Sequence, residues 1–435
     1  MPHPVPYAVT YAVVPYAPGA GPSAWPDELR RIARPEVLER WGAVDRAPHA
    51  PRLVAVPGDG GWAAAALVTA RPGTAYAKIV DAVGDVPAAA RAVVAYAEEQ
   101  GLVQVVWEGW TVSGEEAAAA GFAPLRPPLP GKTDEPAGPR TGYVRWTAGE
   151  GVAEPAYYRQ STHFSCGAVT ALLAQVRAGV VRPESLDREA ELTLWRDATN
   201  FPACEPVGLG VAVRRRWPSS SVEVFLDTEE PVLLDHLDGD EREWRAVLQR
   251  ASRADADRLG VPVHGRRLSL AELREAVTGS GTAGAREAFA GRETAEAREA
   301  GAREAFAGRE TAEAREAGAR EAFAGREAVE AREAGAREAF AGREAREAVA
   351  GLGRCRHVLL LVSLATMQGF DVPHWVLCHG AVPGAVVVED PWFNTAAGET
   401  WVDAHLLPVA DASLDAMSLL GGEVRVRGAV LIDAG

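Results

Sequence analysis

The second half of the sequence contains a tandem array whose unit is repeated almost without change. The unit GAREAFAGRETAEAREA begins at Gly284 and returns with a period of 17 residues. Each unit carries one phenylalanine, and because an α-helix turns by about 100° per residue, successive phenylalanines are rotated by about 100° from one another. They form no continuous stripe, so the array matches neither a packed helix face nor a coiled coil. We interpret residues 283–350 as a helical or disordered repeat insertion, with a spacer or partner-binding arm as the alternative.

The flanks of the array indicate that it interrupts a folded domain. A helical pattern that starts at Leu270 runs up to the array, and a strongly apolar strand follows the array at 357–362. Removal of the array would join this helix to this strand. We therefore predict one domain built from residues 151–282 and 351–435, preceded by a domain at 41–147 and an N-terminal segment at 1–40.

Composition places the chain among globular proteins and excludes several classes of partner. Of the 435 residues 47% are hydrophobic, and the formal net charge is −15. This acidic balance argues against nucleic acids and anionic membranes as partners. The four cysteines do not make a disulfide framework and fit a reducing compartment. Because we find no signal pattern and no run of about 18 apolar residues, we expect a cytoplasmic protein without a membrane span.

The region before the split domain alternates between strand and helix patterns. Strands are predicted at 52–56, 62–69, 78–82, 103–107 and 143–146, and helices at 26–41, 87–100 and 114–120. The order from residue 52 and the ending Ala120-Gly121-Phe122 resemble the later half of a GNAT-type N-acetyltransferase. That family holds acyl-CoA with a glycine-rich loop before its main helix. The stretch from Asp81 to Ala88 has one glycine and two acidic residues, which repel phosphate, so we predict a non-catalytic relic or binding module.

A candidate nucleophile lies at the start of a helix rich in alanine and leucine. Cys166 opens this helix, where the helix dipole and unpaired backbone N–H groups favour a negatively charged sulfur. Gly167 leaves space beside the sulfur. Gln160 precedes the cysteine by six residues, and its amide can donate to an oxyanion together with the backbone N–H of Cys166. A buried structural cysteine is the alternative interpretation.

A candidate base and its orienting acid lie on two strands after the array. His374 starts one strand and Asp390 ends the next, and a hairpin centred on Val382 would place them directly opposite each other. A carboxylate in that position orients an imidazole and fixes its tautomer. His379 lies an odd number of positions from His374, so we expect it to face the other side of the strand as a structural or surface residue.

These residues resemble the motifs of the C39 peptidase family, which has a papain-like fold. Gln160, Cys166-Gly, Pro373-His374-Trp-Val and Asp390-Pro occur in that family's order, and the likeness covers about residues 155–282 and 352–435. The resemblance implies that Cys166 is the nucleophile, His374 the general base and acid, Asp390 the orienting acid and Gln160 the oxyanion donor. It also implies that residues 194–210 line a substrate cleft. We therefore expect an α+β protein, with a C39-like papain-fold domain preceded by a small α/β GNAT-like domain.

The expected activity is cleavage of an amide bond in a peptide or a small amide, without a cofactor or a metal. A papain-like transpeptidase would use the same residues but pass the acyl group to an amine. A peptide-binding protein with a retired active site and an acetyltransferase are further alternatives. Zinc bound through His163-x-x-Cys166 or His374-x-x-x-Cys378 is another, although neither spacing gives a usual paired ligand set.

Overall fold

A computed structural model describes residues 9–16, 25–130, 139–198, 203–279, 356–421 and 425–433. The predicted repeat insertion at 283–350 lies outside these residues. Among the described helices, none is both long enough and apolar enough to cross a membrane.

The N-terminal region forms a sheet of seven described strands. These are β1 (Ala12–Pro15), β2 (Arg52–Gly58), β3 (Gly61–Thr69), β4 (Tyr76–Gly84), β5 (Gln104–Glu108), β6 (Ala123–Pro124) and β7 (Gly142–Trp146). The helices of this region are α1 (Asp27–Ile32), α2 (Pro35–Gly42), α3 (Val86–Glu99) and α4 (Gly114–Ala119). The strand order is β1-β2-β3-β4-β5-β7-β6, and the pairing of β4 with β5 is parallel, whereas the neighbouring pairs are antiparallel.

The predicted strands and helices from residue 52 to residue 146 are confirmed, but the helix predicted at 26–41 is wrong in one respect. The structure has two helices there, α1 and α2, separated before Pro35. Arg34 adopts an extended conformation with φ −71° and ψ 147°. Proline disfavours a helical conformation in the residue before it and donates no hydrogen bond, so one helix ends and a new one begins with proline in its first turn.

The C-terminal region forms a second sheet, also of seven described strands. These are β8 (Ser221–Leu226), β9 (Val263–His264), β10 (His357–Ser363), β11 (Pro373–Val382), β12 (Ala385–Glu389), β13 (Leu407–Ala410) and β14 (Gly428–Asp433). The helices are α5 (Cys166–Arg177), α6 (Arg188–Ala198), α7 (Pro206–Arg216), α8 (Gly239–Leu259), α9 (Leu270–Thr278), α10 (Ala365–Gln368) and α11 (Asp411–Met417). The strand order is β13-β12-β11-β10-β14-β8-β9. Two mixed sheets with helices confirm the expected α+β class.

Strand β10 runs through the middle of this second sheet and is buried on both faces. Leu359 and Leu361 pack into the core that contains α5, whereas Val358 and Leu360 pack into the core on the opposite face. Burial on both faces explains why the sequence of β10 is continuously apolar rather than alternating. Helix α5 packs against β10 and β11, and Gly167 near its start lies against Trp375 near the start of β11.

The two sides of the array meet in the structure. The backbone N–H of Arg356, directly before β10, donates to the carbonyl of Ala276 in α9 at 3.0 Å. The described residues before and after the array belong to one compact unit. The described chain on the two sides of the array is therefore joined by a backbone hydrogen bond within this unit.

Candidate active site

Cys166 is the first residue of α5, and its surroundings are built by the loop before it. The side chain is almost entirely buried, with 8% of the residue exposed. The first backbone N–H groups of a helix have no intrahelical acceptor. At the start of α5 these groups are available to donate to an acceptor next to Cys166. This position confirms the predicted helix start at the cysteine and gives a developing negative charge both N–H donors and a favourable dipole.

Gly167 has a different role from the one that the sequence suggests. A Cβ atom at this position would lie 3.0 Å from Cδ1 of Trp375 and 3.1 Å from Cβ of Cys204. The missing side chain therefore lets Trp375 and Cys204 close against α5 rather than leaving open space beside the sulfur. The indole N–H of Trp375 donates to the carbonyl of Cys204 at 2.9 Å, which fixes this contact.

His374 and Asp390 form a buried hydrogen-bonded pair, with 2.7 Å between Nε2 of the imidazole and Oδ1 of the carboxylate. The predicted register is nevertheless wrong. Val382 pairs with Ala385 across a two-residue turn, and a bulge between positions 378 and 380 shifts the pairing beyond it. His374 and Asp390 are consequently not opposite each other. Asp390 follows the last residue of β12 and reaches His374 diagonally along the hairpin.

The electrostatic environment of His374 favours a protonated ring. Burial alone would lower the pKa of this imidazole, but the charges of Asp390 and Cys166, with side-chain hydrogen bonds to both, raise the pKa of His374 to about 10. At neutral pH the ring is therefore an imidazolium held between an acid and the sulfur. Nε2 bonds to Asp390, which leaves Nδ1 as the nitrogen available to Cys166.

The carboxylate of Asp390 is held from several sides. Besides His374, Oδ1 accepts from the backbone N–H of Trp392 at 2.9 Å, and Oδ2 accepts from the guanidinium of Arg71 at 2.7 Å. Burial would raise the pKa of Asp390, but His374 and Arg71 lower it below its ordinary value. The backbone is fixed too, since Tyr157 donates its hydroxyl to the carbonyl of Asp390 at 3.0 Å.

Two hydrogen bonds hold Gln160, one to the segment that follows Asp390 and one to the loop that precedes Cys166. Its backbone N–H donates to the carbonyl of Pro391 at 2.9 Å, and its side-chain amide nitrogen donates to the carbonyl of Thr162 at 2.6 Å. The hydroxyl of Thr162 lies 2.7 Å from that of Ser165, the residue before the cysteine. Oε1 of Gln160 is buried and has no hydrogen-bond partner among the described residues. Because buried polar atoms normally have a hydrogen-bond partner, this oxygen is an acceptor that a bound ligand can use.

Glu191 of α6 organises the loop that carries Gln160 and was not predicted as a site residue. It is fully buried and accepts hydrogen bonds from the backbone N–H of Ser161 at 2.8 Å, from the hydroxyl of Tyr158 at 3.1 Å and from the hydroxyl of Ser165. A signal was present, because Glu191 shares the helix face of the buried Leu194. An acid on the apolar face of a helix indicates a specific buried partner.

A family model matches the region of the chain that contains these residues. The model of the Peptidase C39 like family matches residues 155–283 and 321–433, which together are more than half of the chain. The chain belongs to the C39-like family. The gap in the match, 284–320, lies within the tandem array. The comparison with curated proteins gave no match.

The N-terminal region lies outside the C39-like match and has a weak structural neighbour. This is the ribosomal-protein-S18-alanine N-acetyltransferase from Escherichia coli, with 14% identity and a TM-score of 0.22, covering 33% of this chain and 99% of the acetyltransferase. In the present chain the acidic residues of the predicted loop are engaged internally. Asp85 caps α3 by accepting from the backbone N–H of Ala88 at 3.0 Å, and Asp81 accepts from the indole of Trp41 at 2.9 Å.

Two further histidines of the C39-like region, His379 and His405, are paired with Glu389. His379 is buried, with Nε2 3.1 Å from Glu389 and Nδ1 3.1 Å from Arg177, which is the structural position favoured by the sequence. Glu389 also bonds to His405 at 2.7 Å. Within the described ranges there is no group of three or more His, Cys, Asp or Glu side chains placed to hold a metal ion.

The structure describes part of the segment 194–210, which is predicted from the sequence to line a substrate cleft. Trp195 packs against Phe164, which lies two residues before Cys166, with 4.6 Å between the ring centroids. Phe164 in turn lies 5.1 Å from His163. Residues 199–202 of the segment lie outside the described residues. These aromatic side chains place an apolar wall beside the loop that leads to Cys166.

Proposed function

We propose that this C39-like protein is a cysteine peptidase or amidohydrolase that uses Cys166, His374, Asp390 and Gln160. One observation carries the proposal: the imidazole of His374 bonds to Asp390 at 2.7 Å, and Asp390 and Cys166 both raise the pKa of the ring. A nucleophile, a base and an orienting acid joined in this order are the requirement for thiol-based acyl transfer. A helix that carries the nucleophile and packs on the strand of the base also agrees with a papain-like fold.

In the first half of the reaction the sulfur of Cys166, as a thiolate, attacks the carbonyl carbon of a bound amide. The carbonyl oxygen becomes an oxyanion, which accepts hydrogen bonds from the backbone N–H of Cys166 and the amide of Gln160. Gln160 has two amide hydrogens, of which one is used by Thr162. The imidazolium of His374 then donates its proton to the amide nitrogen. The C–N bond breaks, the amine leaves and a thioester to Cys166 remains.

In the second half His374, now neutral, takes a proton from water while the water oxygen attacks the thioester carbon. The second oxyanion uses the same donors and collapses with loss of the thiolate. The carboxylic acid product leaves, and the thiolate and imidazolium are restored. Throughout the cycle Asp390 keeps the ring in one orientation and stabilises its positive form, so the acid itself transfers no proton.

The experiment that tests the proposal is detection of an acyl-enzyme on Cys166. The full chain is incubated with a peptidyl thioester and with p-nitrophenyl esters, and the modified residue is mapped by mass spectrometry. We expect a mass increase on Cys166, turnover in water and loss of both in Cys166→Ala. Transfer to an added amine with little hydrolysis would identify a transpeptidase. The absence of any acyl group on Cys166 would contradict catalysis and favour a peptide-binding protein.

A further inference from the structure

Arg71 enters the candidate site from the N-terminal region. It lies in the hairpin between β3 and β4, at the first position of the turn Arg71-Pro-Gly-Thr. The carbonyl of Arg71 accepts from the hydroxyl of Thr74 at 2.6 Å, and Gly73 adopts φ +78°, the conformation that the third position of a type II turn requires. Although hairpin turns are normally exposed, the Arg71 side chain has no solvent exposure. The turn therefore directs the Arg71 side chain into the C39-like region, whereas its neighbour Pro72 stays exposed.

The guanidinium of Arg71 bridges two carboxylates of the C39-like region. Nη1 donates to Oδ2 of Asp390 at 2.7 Å. Nε and Nη2 donate to the two carboxylate oxygens of Glu399 at 2.6 and 2.9 Å. A further N–H lies 3.4 Å from the carbonyl of Trp392. Glu399 is itself held by the amide of Gln368 at 3.0 Å. A planar fork with fixed partners is a rigid support for a carboxylate.

The contact between Arg71 and Asp390 matters because it fixes the carboxylate oxygen that does not bond to His374. A carboxylate bonded through one oxygen can still rotate about its Cβ–Cγ bond, and this rotation would break the hydrogen bond to the imidazole. Here Oδ1 bonds to His374 and Oδ2 bonds to Arg71, each at 2.7 Å. The carboxylate plane is held from both oxygens, so the direction of Oδ1 towards the imidazole is determined.

Backbone hydrogen bonds join the hairpin between β3 and β4 to strand β13 of the C39-like region. Ala75 donates to the carbonyl of Pro408 at 2.8 Å, Ala410 donates to the carbonyl of Gly73 at 3.2 Å, and Thr74 forms a β-bridge with Val409 of β13. A second buried cation in the same interface is Lys78. Its ammonium lies 2.6 Å from Asp403 and 2.8 Å from Glu108, and it does not bond to Asp390.

We propose that Arg71 is a positioning residue for the acid of the triad, so that the GNAT-like region completes the active site of the C39-like region. The inference rests on the proposed function, because a positioned acid has a role only if His374 and Cys166 react. It assigns the N-terminal region a function that needs neither acyl-CoA nor a ligand of its own. The region acts by placing one guanidinium behind Asp390.

The test is a double-mutant cycle on the full chain. Arg71→Met, Asp390→Asn and the double variant are compared with the wild type by the rate at which iodoacetamide alkylates Cys166 at neutral pH, mapped by mass spectrometry. Thermal unfolding of each variant gives the folded fraction, and rates are expressed per folded molecule. We expect Arg71→Met alone to slow alkylation by about tenfold, the effect of losing one charge-assisted hydrogen bond. In the Asp390→Asn background the same change should add less than about twofold.

Three companion variants separate positioning from general damage. Arg71→Lys keeps the cation and should recover part of the rate. Arg71→Met combined with Glu399→Gln removes the cation together with one of its two acids, which restores the charge balance if the single variant does not fold. Lys78→Met removes a second buried cation of this interface and should leave the rate per folded molecule unchanged.

Two results overturn the inference while leaving the proposed function intact. One is an unchanged rate in folded Arg71→Met, or in its combination with Glu399→Gln. The other is an equal loss in the wild-type and Asp390→Asn backgrounds, which would show that Arg71 acts independently of the acid. A different result, Cys166 of the wild type reacting no faster than in His374→Ala, would contradict the proposed function itself.

Discussion

The guanidinium of Arg71 lies 2.7 Å from the carboxylate of Asp390, and neither side chain is exposed to solvent. The two residues are separated by more than three hundred positions in the chain and lie in segments that follow strands of different sheets. Burial of a charge requires a partner of opposite charge with good geometry. The contact therefore ties the folding of the N-terminal region to the geometry of the candidate active site.

The first prediction concerns the oxyanion. Gln160→Met keeps the approximate length of the side chain, removes the amide donor and adds no charge. We expect acylation of Cys166 by a p-nitrophenyl ester to slow by about a hundredfold, the usual effect of losing one oxyanion donor. Alkylation by iodoacetamide forms no oxyanion, so its rate should change little. An equal loss in both reactions would show that Gln160 supports the fold of the loop rather than the transition state.

The second prediction concerns the loop before the nucleophile. Glu191→Gln leaves one acceptor oxygen for the three donors Tyr158, Ser161 and Ser165. The new amide NH₂ group faces the donors that this oxygen does not accept from. We expect the free energy of unfolding to fall by about 2 kcal/mol, as for a buried donor left unpaired. Urea unfolding measures this change. Glu189→Gln, an exposed acid of the same helix, is the matched control. Equal stability of the two variants would contradict the role given to Glu191.

The third prediction concerns the contact beneath the nucleophile. Gly167→Ala would place a Cβ atom 3.0 Å from Trp375 and 3.1 Å from Cys204. Since neither neighbour is the free end of a flexible side chain, α5 must shift. We expect a loss of about 1–3 kcal/mol in the free energy of unfolding, although alanine normally stabilises a helix relative to glycine. Thermal unfolding tests this, and a gain in stability would show that the contact yields easily.

The fourth prediction follows from the buried pair of His405 and Glu389. Burial would lower the pKa of His405, but Glu389 and Glu154, which both bond to the ring, raise it from 6.5 to about 9. Its contribution to stability is thus fully present below pH 6.5 and is lost as the pH rises through about 9. His405→Gln should lower the free energy of unfolding by about 3 kcal/mol at acidic to neutral pH and by much less near pH 10. A difference that is constant across this range, measured by urea unfolding, would contradict the prediction.

Much of the fold follows from sequence pattern. The strands β2 to β5 and β10 to β12 were predictable, because each is a short run of β-branched or apolar residues bounded by glycine, proline or polar residues. Helix α7 was not predicted, because its sequence Pro-Val-Gly-Leu-Gly carries two glycines that lower helix propensity. Glu205 compensates by capping the first turn through the backbone N–H groups of Val207 and Gly208.

The candidate site divides into residues that sequence can indicate and residues that only packing reveals. Cys166 is indicated by its helix start, and the pair of His374 and Asp390 by the hairpin. Their true register is set mainly by the turn at Pro383-Gly384, which lies one to two residues beyond the predicted centre at Val382. The bulge between 378 and 380, which has no signal in the sequence, shifts the pairing by one residue. Arg71 has none either, since an arginine before Pro-Gly in a hairpin reads as an ordinary solvent-exposed turn. Its burial depends on a neighbour more than three hundred residues away.

The central claim is that His374 activates Cys166, and the most direct measurement is the pH dependence of Cys166 alkylation in the wild type and in His374→Gln. Because the imidazolium persists to about pH 10, we expect the wild type to react rapidly at neutral pH and the variant about tenfold or more slowly. Cys378 is an internal control, because burial raises the pKa of its thiol and it should stay unmodified. Equal rates at Cys166 in wild type and variant at neutral pH would contradict the account.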